Sequence, residues 1–354
     1  MSQLSSFVSC PNVQESLALA WGYDNLKLQN VNIMRFLLSD VNRNDFIQNQ
    51  INFRSGGIKA VEVVYGQRFL ESAVSSTGRI SCTGFSVDGD TSKVYEIDPT
   101  VGASFGVKLK LADLQTRCEA DATYLGREVL KLMNVLIEKM ETDAALALIG
   151  NTGNFASDVI NGNPAGTTTT KVTKTKTSGG TILTDAIEDV AFENMANEFN
   201  AKPFVFGGAL WEKYARALNA ACCGDLGVDA GVYKDSSGVT IVYAPKVQIN
   251  ASEVDYGYSV IPGTVQVITY NEFGGEGNIW VMDDDSKKQG VITHPELPLT
   301  FDYQATYTCD DANNKVWEVS VGLAYDFIFL PADMYAAGDI LEGVNGVLAF
   351  DIDN

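Results

Sequence analysis

Between Leu111 and Asn151 the apolar residues Leu111, Leu114, Cys118, Ala122, Leu125, Val129, Met133, Leu136, Met140 and Ala144 recur every three or four positions without a break. Leu114, Leu125 and Leu136 repeat at intervals of about 3.67 residues per turn, near the natural helical value and unlike the shorter period that winds a left-handed coiled coil. The pattern predicts one straight helix with a single apolar stripe, whose core face is carried by Leu114, Cys118, Leu125, Val129, Leu136 and Met140. Asp113, Arg117, Glu119, Asp121, Arg127, Glu128, Lys131, Glu138, Lys139, Glu141 and Asp143 fall between stripe positions and are expected on the solvated side. No proline interrupts the run, and no glycine occurs between Gly126 and Gly150. At about 1.5 Å per residue the helix would span roughly 60 Å, more than an ordinary compact domain, so a flat, elongated molecule is expected.

Composition then removes several classes of function. The chain has 354 residues, 45% of them hydrophobic, enough for about two or three domains with real cores. Asp and Glu number 45 against 25 Lys and Arg, a formal charge of -20, so the overall field repels nucleic acid and anionic membranes. The Ser-rich start, Met1 to Cys10, lacks the basic and hydrophobic parts of a secretion signal, and no run approaches the roughly 18 apolar residues of a membrane span. Neither secretion nor a membrane partner is expected. Cys10, Cys82, Cys118, Cys222, Cys223 and Cys309 are scattered without metal-ligand spacing. Reduced thiols are the expectation, with the adjacent Cys222 and Cys223 as small packing residues on a helix or turn, a vicinal disulfide being the alternative.

Around the long helix the chain changes character several times. Residues 1 to about 56 read as a polar, extended arm with one helical stretch near Asn30 to Gln48, carried by Ile33, Phe36, Leu37, Val41, Phe46 and Ile47. From 57 to 110 the period is two: Ile58, Ala60, Glu62 and Val64 alternate, Tyr95 and Ile97 follow, then Val107 and Leu109. This predicts a long β-hairpin with little core of its own, and an isolated two-stranded ribbon is marginal in water. Gly166 to Gly180, GTTTTKVTKTKTSGG, reads as a solvated loop or an edge strand guarded by Lys171, Lys174 and Lys176; a contact with an acidic neighbour or nucleic acid is the functional alternative. Asp185 and Glu188 have capping-box spacing ahead of Ile187, Val190, Phe192, Met195 and Phe199. A strand at Pro203–Phe206, a helix at Leu210–Ala221 and strands at Val239–Tyr243, Ser259–Tyr270 and Asn278–Met282 complete an α/β unit. Toward the end Leu299, Phe301, Tyr303, Ala305 and Tyr307 alternate, and Trp317, Val319, Val321, Leu323, Tyr325, Phe327 and Phe329 mark one long strand of roughly 40 Å that would cover the helix.

Catalytic signals are thin. Gly102 to Gly106 spells G-x-S-x-G around Ser104, and the single histidine, His294, lies downstream as a serine hydrolase would require. A nucleophile elbow needs a strand running straight into the serine and a helix leaving it; Pro99 interrupts upstream, and Val107 to Lys110 alternates as a strand. The alternative, a glycine-rich bend, is the simpler reading. Asp88 and Asp90 begin like a calcium loop, but Lys93 stands where glycine is required and Pro99 where the closing glutamate belongs. Asp283 to Asp285 reads as a solvated turn. There is no phosphate-binding loop or dinucleotide fingerprint, Gly274, Gly275 and Gly277 being a turn. No cofactor, metal or catalytic residue is expected.

The order of segments, arm, protruding hairpin, long helix, α/β insertion and closing β-ribbon, resembles the major capsid protein of tailed bacteriophages, the Hong Kong 97 capsid fold also used by encapsulins. PGTVQVITYNEF at Pro262 to Phe273, VWEVSVGLAYDFIFLP at Val316 to Pro331 and GVNGVLAF at Gly343 to Phe350 are similar to phrases of such proteins. The resemblance implies an α+β fold with an N-terminal arm (1–56), an extended β-hairpin loop (57–110), a peripheral domain with a spine helix (111–181 and 290–354) and an α/β axial domain (182–289). It implies an icosahedral shell built from hexamers and pentamers around packaged double-stranded DNA, without sequence-specific contact and without a membrane. The extended loop would lie on a neighbouring subunit through Val64, Tyr65, Arg68, Phe69, Tyr95 and Ile97. No charged segment of about a hundred residues precedes the arm, so a separate scaffolding protein is expected, with a portal and decoration proteins as further partners. Assembly would take place in the bacterial host cytoplasm and the product would be the virion capsid. No lysine and asparagine pair for covalent cross-linking can be matched, Lys59 or Lys93 with Asn354 being a loose possibility. The alternatives are an encapsulin-type compartment, a tail or surface-layer protein, and the hydrolase on Ser104 and His294.

Overall fold

The computed structural model describes residues 28–43, 60–66, 90–96, 105–110, 121–156, 170–174, 185–222, 232–234, 237–251, 255–271, 287–309, 315–329 and 343–353. In chain order its elements are α1 (Asn32–Leu37), β1 (Ala60–Gly66), β2 (Asp90–Glu96), β3 (Phe105–Lys110), α2 (Asp121–Gly150), β4 (Lys171–Lys174), α3 (Asp185–Ala196), β5 (Phe204–Gly207), α4 (Ala209–Cys222) and β6 (Val232–Lys234). There follow β7 (Thr240–Tyr243), α5 (Pro245–Ala251), β8 (Tyr256–Val260), β9 (Val265–Tyr270), β10 (Lys287–Thr293), β11 (Thr300–Cys309), β12 (Lys315–Gly322), β13 (Ala324–Phe329) and β14 (Val347–Asp353). The α+β class expected from the sequence is the class observed.

The expected long helix is α2, 30 residues and so about 45 Å. Residues 111–120 lie outside the described set. Its buried face is wider than the stripe read from sequence: Leu130, Ile137, Ala145 and Leu148 join Val129, Met133, Leu136, Met140 and Ala144. Strands lie against it from a four-stranded antiparallel sheet ordered β10-β11-β12-β3. Alternation does what the period predicts there, with Phe301, Tyr303, Ala305, Val319 and Val321 all buried in the core shared with α2.

Three expectations are corrected by the strand pairing. Phe105–Lys110, expected as part of the hairpin 57–110, pairs with β12 in the four-stranded sheet, Leu109 opposite Trp317. The single strand expected from Trp317 to Phe329 is two strands: β12 stays in that sheet, and after a break at Leu323, β13 pairs with β9. The inward alternation persists through Leu323, Tyr325, Phe327 and Phe329, which is why the sequence reads as one run, but Ala324 and Ile328 are buried too. Burial on both sides takes β13 out of the one-sided pattern of β12. Finally, the mixed six-stranded sheet, β4-β14-β8-β5-β7-β6, crosses the expected divisions at 181 and 290, because β4 and β14 join strands of the 182–289 segment.

That sheet separates two cores. Val347, Ala349, Phe206 and Tyr258 face the α2 core, whereas Leu348, Phe350, Ile352 and Val205 face α3 and α4. On α4, Trp211, Tyr214, Ala215 and Leu218 are buried at helical spacing. Trp211 lies over the paired residues Gly207 and Gly257, where a Cβ on either would run into its ring, and its indole N–H donates to the Asp255 carbonyl at 2.9 Å. Glycine at both positions is what lets the tryptophan sit flat on the sheet.

Residues 28–43 do not form an extended arm. Leu28, Val31, Ile33, Met34, Phe36 and Leu37 are buried in the α2 core, with the Phe36 ring centroid 4.5 Å from Phe204 and 5.2 Å from Phe206. The helix is also shorter than the stretch expected from Asn30, ending at Leu37 before a 3-10 turn at Asp40–Asn42. Val41 is exposed while Asn42 is buried, its side-chain N–H groups donating to the Leu37 and Val265 carbonyls and its oxygen accepting from the Gly263 N–H. Polarity misleads here because the asparagine is replacing backbone partners in the interior.

Candidate assembly site and the polar contacts of the long helix

The residues expected to meet a neighbouring subunit fall on or next to the β1–β2 ribbon. Val64 stands opposite Ser92, Tyr65 opposite Thr91, and Tyr95 opposite Val61. Arg68, Phe69 and Ile97 lie outside the described residues. Among the described residues no third strand extends this ladder, and β2 comes near β13. Of the expected core face of α2, Val129, Leu136 and Met140 are buried. Leu114, Cys118 and the side chain of Leu125 lie outside the described set.

Glu141, expected in solvent, is fully buried on α2. Its Oε1 accepts the Ile33 backbone N–H at 3.1 Å and its Oε2 the Met34 N–H at 2.8 Å. The N-cap of α1 is Val31, which has no side-chain oxygen to offer, so the orphan donors of that helix are satisfied by a carboxylate from another helix. Burial raises the Glu141 pKa from 4.5 to about 7, against the lowering effects of the two N–H groups, Arg35 and Lys246. The signal available in sequence was position: Glu141 follows Met140 and lies four residues after Ile137, on the flank of the buried face.

Two further polar groups of α2 hold other segments. Asp143 accepts the Tyr325 hydroxyl at 2.6 Å and pairs with Lys139; burial first, then this bond, raises the Tyr325 pKa. Asn134 Oδ1 lies 3.0 Å from His294 Nε2, while His294 Nδ1 accepts the backbone N–H groups of Glu296 at 3.1 Å and Leu297 at 3.2 Å. A ring whose Nδ1 accepts must carry its proton on Nε2, so the imidazole is neutral and donates to Asn134. Burial lowers its pKa to about 4. Nδ1 is occupied in holding the 294–297 turn and Nε2 in bonding Asn134 of α2, which leaves neither for a serine hydroxyl; Ser104 itself lies outside the described residues.

The basic cluster resolves in part. Lys171 is on the edge strand β4, as the lysine-guarded reading expects, but its ammonium pairs with buried Glu193 and lies 5.7 Å from the Phe155 ring centroid. Its charge is used within the chain. The expected apolar face of α3 is half right: Ile187 and Val190 are buried, while Phe192 and Met195 are exposed and Glu193, Asn194 and Asn197 are buried instead. Asn194 donates to Ser259 Oγ at 3.0 Å, and Asn197 accepts the Ala156 N–H at 2.8 Å. Among the described residues no group of three His, Cys, Asp or Glu could hold a metal, and no helix is long and apolar enough to cross a membrane.

No family model matches the chain, and no curated protein matches its sequence. Its fold is similar to solved phage capsid structures. The capsid of cyanophage P-SCSP1u aligns with a TM-score of 0.47 at 11% identity, covering 85% of each chain. The mature capsid of bacteriophage PhiM1 aligns at 0.46 and 8% identity over 84% of this chain and 82% of that one. A structure from Mycobacterium phage Che8 aligns at 0.44 and 13% identity over 89% and 90%. All three lie below a TM-score of 0.5, at identities too low for residue-by-residue correspondence.

Proposed function

We propose that this chain is a structural shell subunit, the major capsid protein of a tailed phage, assembling through hexamers and pentamers into an icosahedral shell around double-stranded DNA. The observation that carries the proposal is the β1–β2 ribbon: a paired two-stranded ladder that no third strand extends among the described residues, in a chain whose remaining described strands build sheets around two buried cores. A ribbon of this kind is marginal alone and gains stability by lying on another surface. In the shell reading that surface is a neighbouring subunit, met through Val64, Tyr65, Arg68, Phe69, Tyr95 and Ile97. The long helix α2 sets the breadth of the tile, and the net charge of -20 suits a wall that confines DNA without gripping it. A scaffolding protein and a portal are the partners that fit this role, decoration proteins are optional additions to the shell, and the product is the virion capsid.

Electron microscopy of the chain, concentrated alone and after co-expression with a scaffolding protein, tests the proposal. Closed icosahedral particles are expected. A chain that remained a compact monomer under both conditions would overturn it; closed particles isolated from infected cells without DNA would favour an encapsulin-type compartment.

A further inference from the structure

Residues 28–43 are attached to α2 by an unusual joint. α1 has no capping side chain of its own, and the two backbone donors of its first turn, on Ile33 and Met34, end on the carboxyl of Glu141. Glu141, Ile33 and Met34 are all fully buried, and the surroundings are the apolar core formed by Ile137, Met140, Ala144, Ala145 and Val247. The cationic groups acting on the carboxyl are Arg35 of α1 and Lys246 of α5. Arg35 is already engaged, by Glu296 and by the Leu28 carbonyl. On α2 itself the preceding turn contributes Glu138, an exposed acid that adds no compensation. An ionised Glu141 is therefore a buried anion with two hydrogen bonds and incomplete counter-charge, whereas a protonated one carries no charge and still has a lone pair on each oxygen for the two N–H groups.

We propose that the Glu141 joint is a protonation-sensitive latch, which holds residues 28–43 tightly on the long helix when the carboxyl is protonated and loosens them when it ionises. The direction follows from linkage. In the docked state burial raises the Glu141 pKa to about 7, whereas in a detached state the carboxyl is solvated and returns to its ordinary value near 4.5. The docked state binds the proton more tightly, so acid favours docking, and raising the pH from 5 to 8 weakens docking by on the order of fiftyfold to a hundredfold. The latch is independent of what the chain assembles into.

Hydrogen exchange measured by mass spectrometry on the full chain at pH 5, 6, 7 and 8, corrected for the intrinsic chemical rate, reads this directly. Protection of residues 28–43 relative to β8 is expected to fall by that factor, steeply from pH 5 to 7 and levelling off above pH 7, and in Glu141→Gln to be lower than wild type at pH 5 and independent of pH. Unchanged wild-type protection across the range, or the same pH dependence in Glu141→Gln, would overturn the latch. If the variant fails to fold, the wild-type profile decides: a fall that continues to about pH 7 and then levels off supports the latch, and a profile already level above pH 5 refutes it.

Discussion

Each residue of β1 is paired with one of β2, and among the described residues that ladder ends there, whereas the strands around α2, whether in the four- and six-stranded sheets or in the β9–β13 pair, share one core with Met133, Ile137 and Met140. Strands of similar length and geometry thus have different sources of stability. A two-stranded ribbon has cross-strand hydrogen bonds and depends on whatever surface it rests against, in the proposed shell a neighbouring subunit; the core strands have apolar burial, worth about 25 cal/mol per Å² removed from water, within the chain. A molecule that contains both can be stable as a subunit and still carry an element that is completed only by a neighbour.

The sharpest way to break this contrast is to separate assembly from folding. A Val64→Asp, Tyr95→Asp double variant is expected to abolish particle formation in electron micrographs while its denaturant midpoint, measured on the unassembled subunit, moves by no more than about 0.5 kcal/mol. Loss of subunit stability of several kcal/mol would instead make the ribbon part of the core. The reciprocal change, Met133→Ala, removes a fully buried side chain and should cost about 2–5 kcal/mol in urea unfolding.

A smaller effect concerns pH, where two buried groups oppose each other. The folded Glu141 pKa is raised, so its contribution is present below 4.5 and lost as pH rises through about 7. The folded His294 pKa is lowered, so its contribution is present above about 6.5 and lost as pH falls through about 4. Each is worth roughly 3 kcal/mol by its shift, and over the same window they nearly cancel, so global stability of the wild type should change little between pH 5 and 8. His294→Gln removes one side of the balance. Its stability, measured by urea unfolding, is expected to fall by about 2.5 kcal/mol from pH 5 to pH 8, and a flat profile would contradict the assignment to Glu141. Least affected should be Phe192→Ser on the exposed face of α3, which should shift the same unfolding midpoint by no more than about 0.5 kcal/mol.

Much of the framework was legible from periodicity. The unbroken spacing from Val129 to Ala144 located α2 and its buried side, because a helix of that length leaves one stripe and little choice of which residues fill it. Alternation located β11, β12 and the paired strands of the ribbon, and of the two readings left open for the lysine-bearing threonine run, loop or edge strand, the edge strand is the one formed at Lys171–Lys174. Periodicity failed where burial was polar. Glu141, Asn42, Glu193, Asn194 and Asn197 are all buried, and each reads in sequence as a solvated residue. On α3 the error reversed two positions, placing Phe192 and Met195 inside when the asparagines and glutamate occupy that side. The joint at Glu141 was out of reach for the same reason, since a carboxylate that caps a helix more than a hundred residues away leaves no local spacing to detect.

The sequence by itself determined the long helix over its described residues and the alternating strands, because helical and strand periods are local properties of the chain. It also determined that the hairpin segment is poor in apolar residues. Tertiary structure decided which strands share a sheet: that Phe105–Lys110 leaves the ribbon for β12, that the run ending at Phe329 divides at Leu323, and that the last strand enters the six-stranded sheet beside β8. It also decided which polar groups go inside, for a buried acid is tolerated only where distant partners converge on it, backbone donors at Glu141 and the Lys171 ammonium at Glu193, and that convergence exists only once the chain has folded.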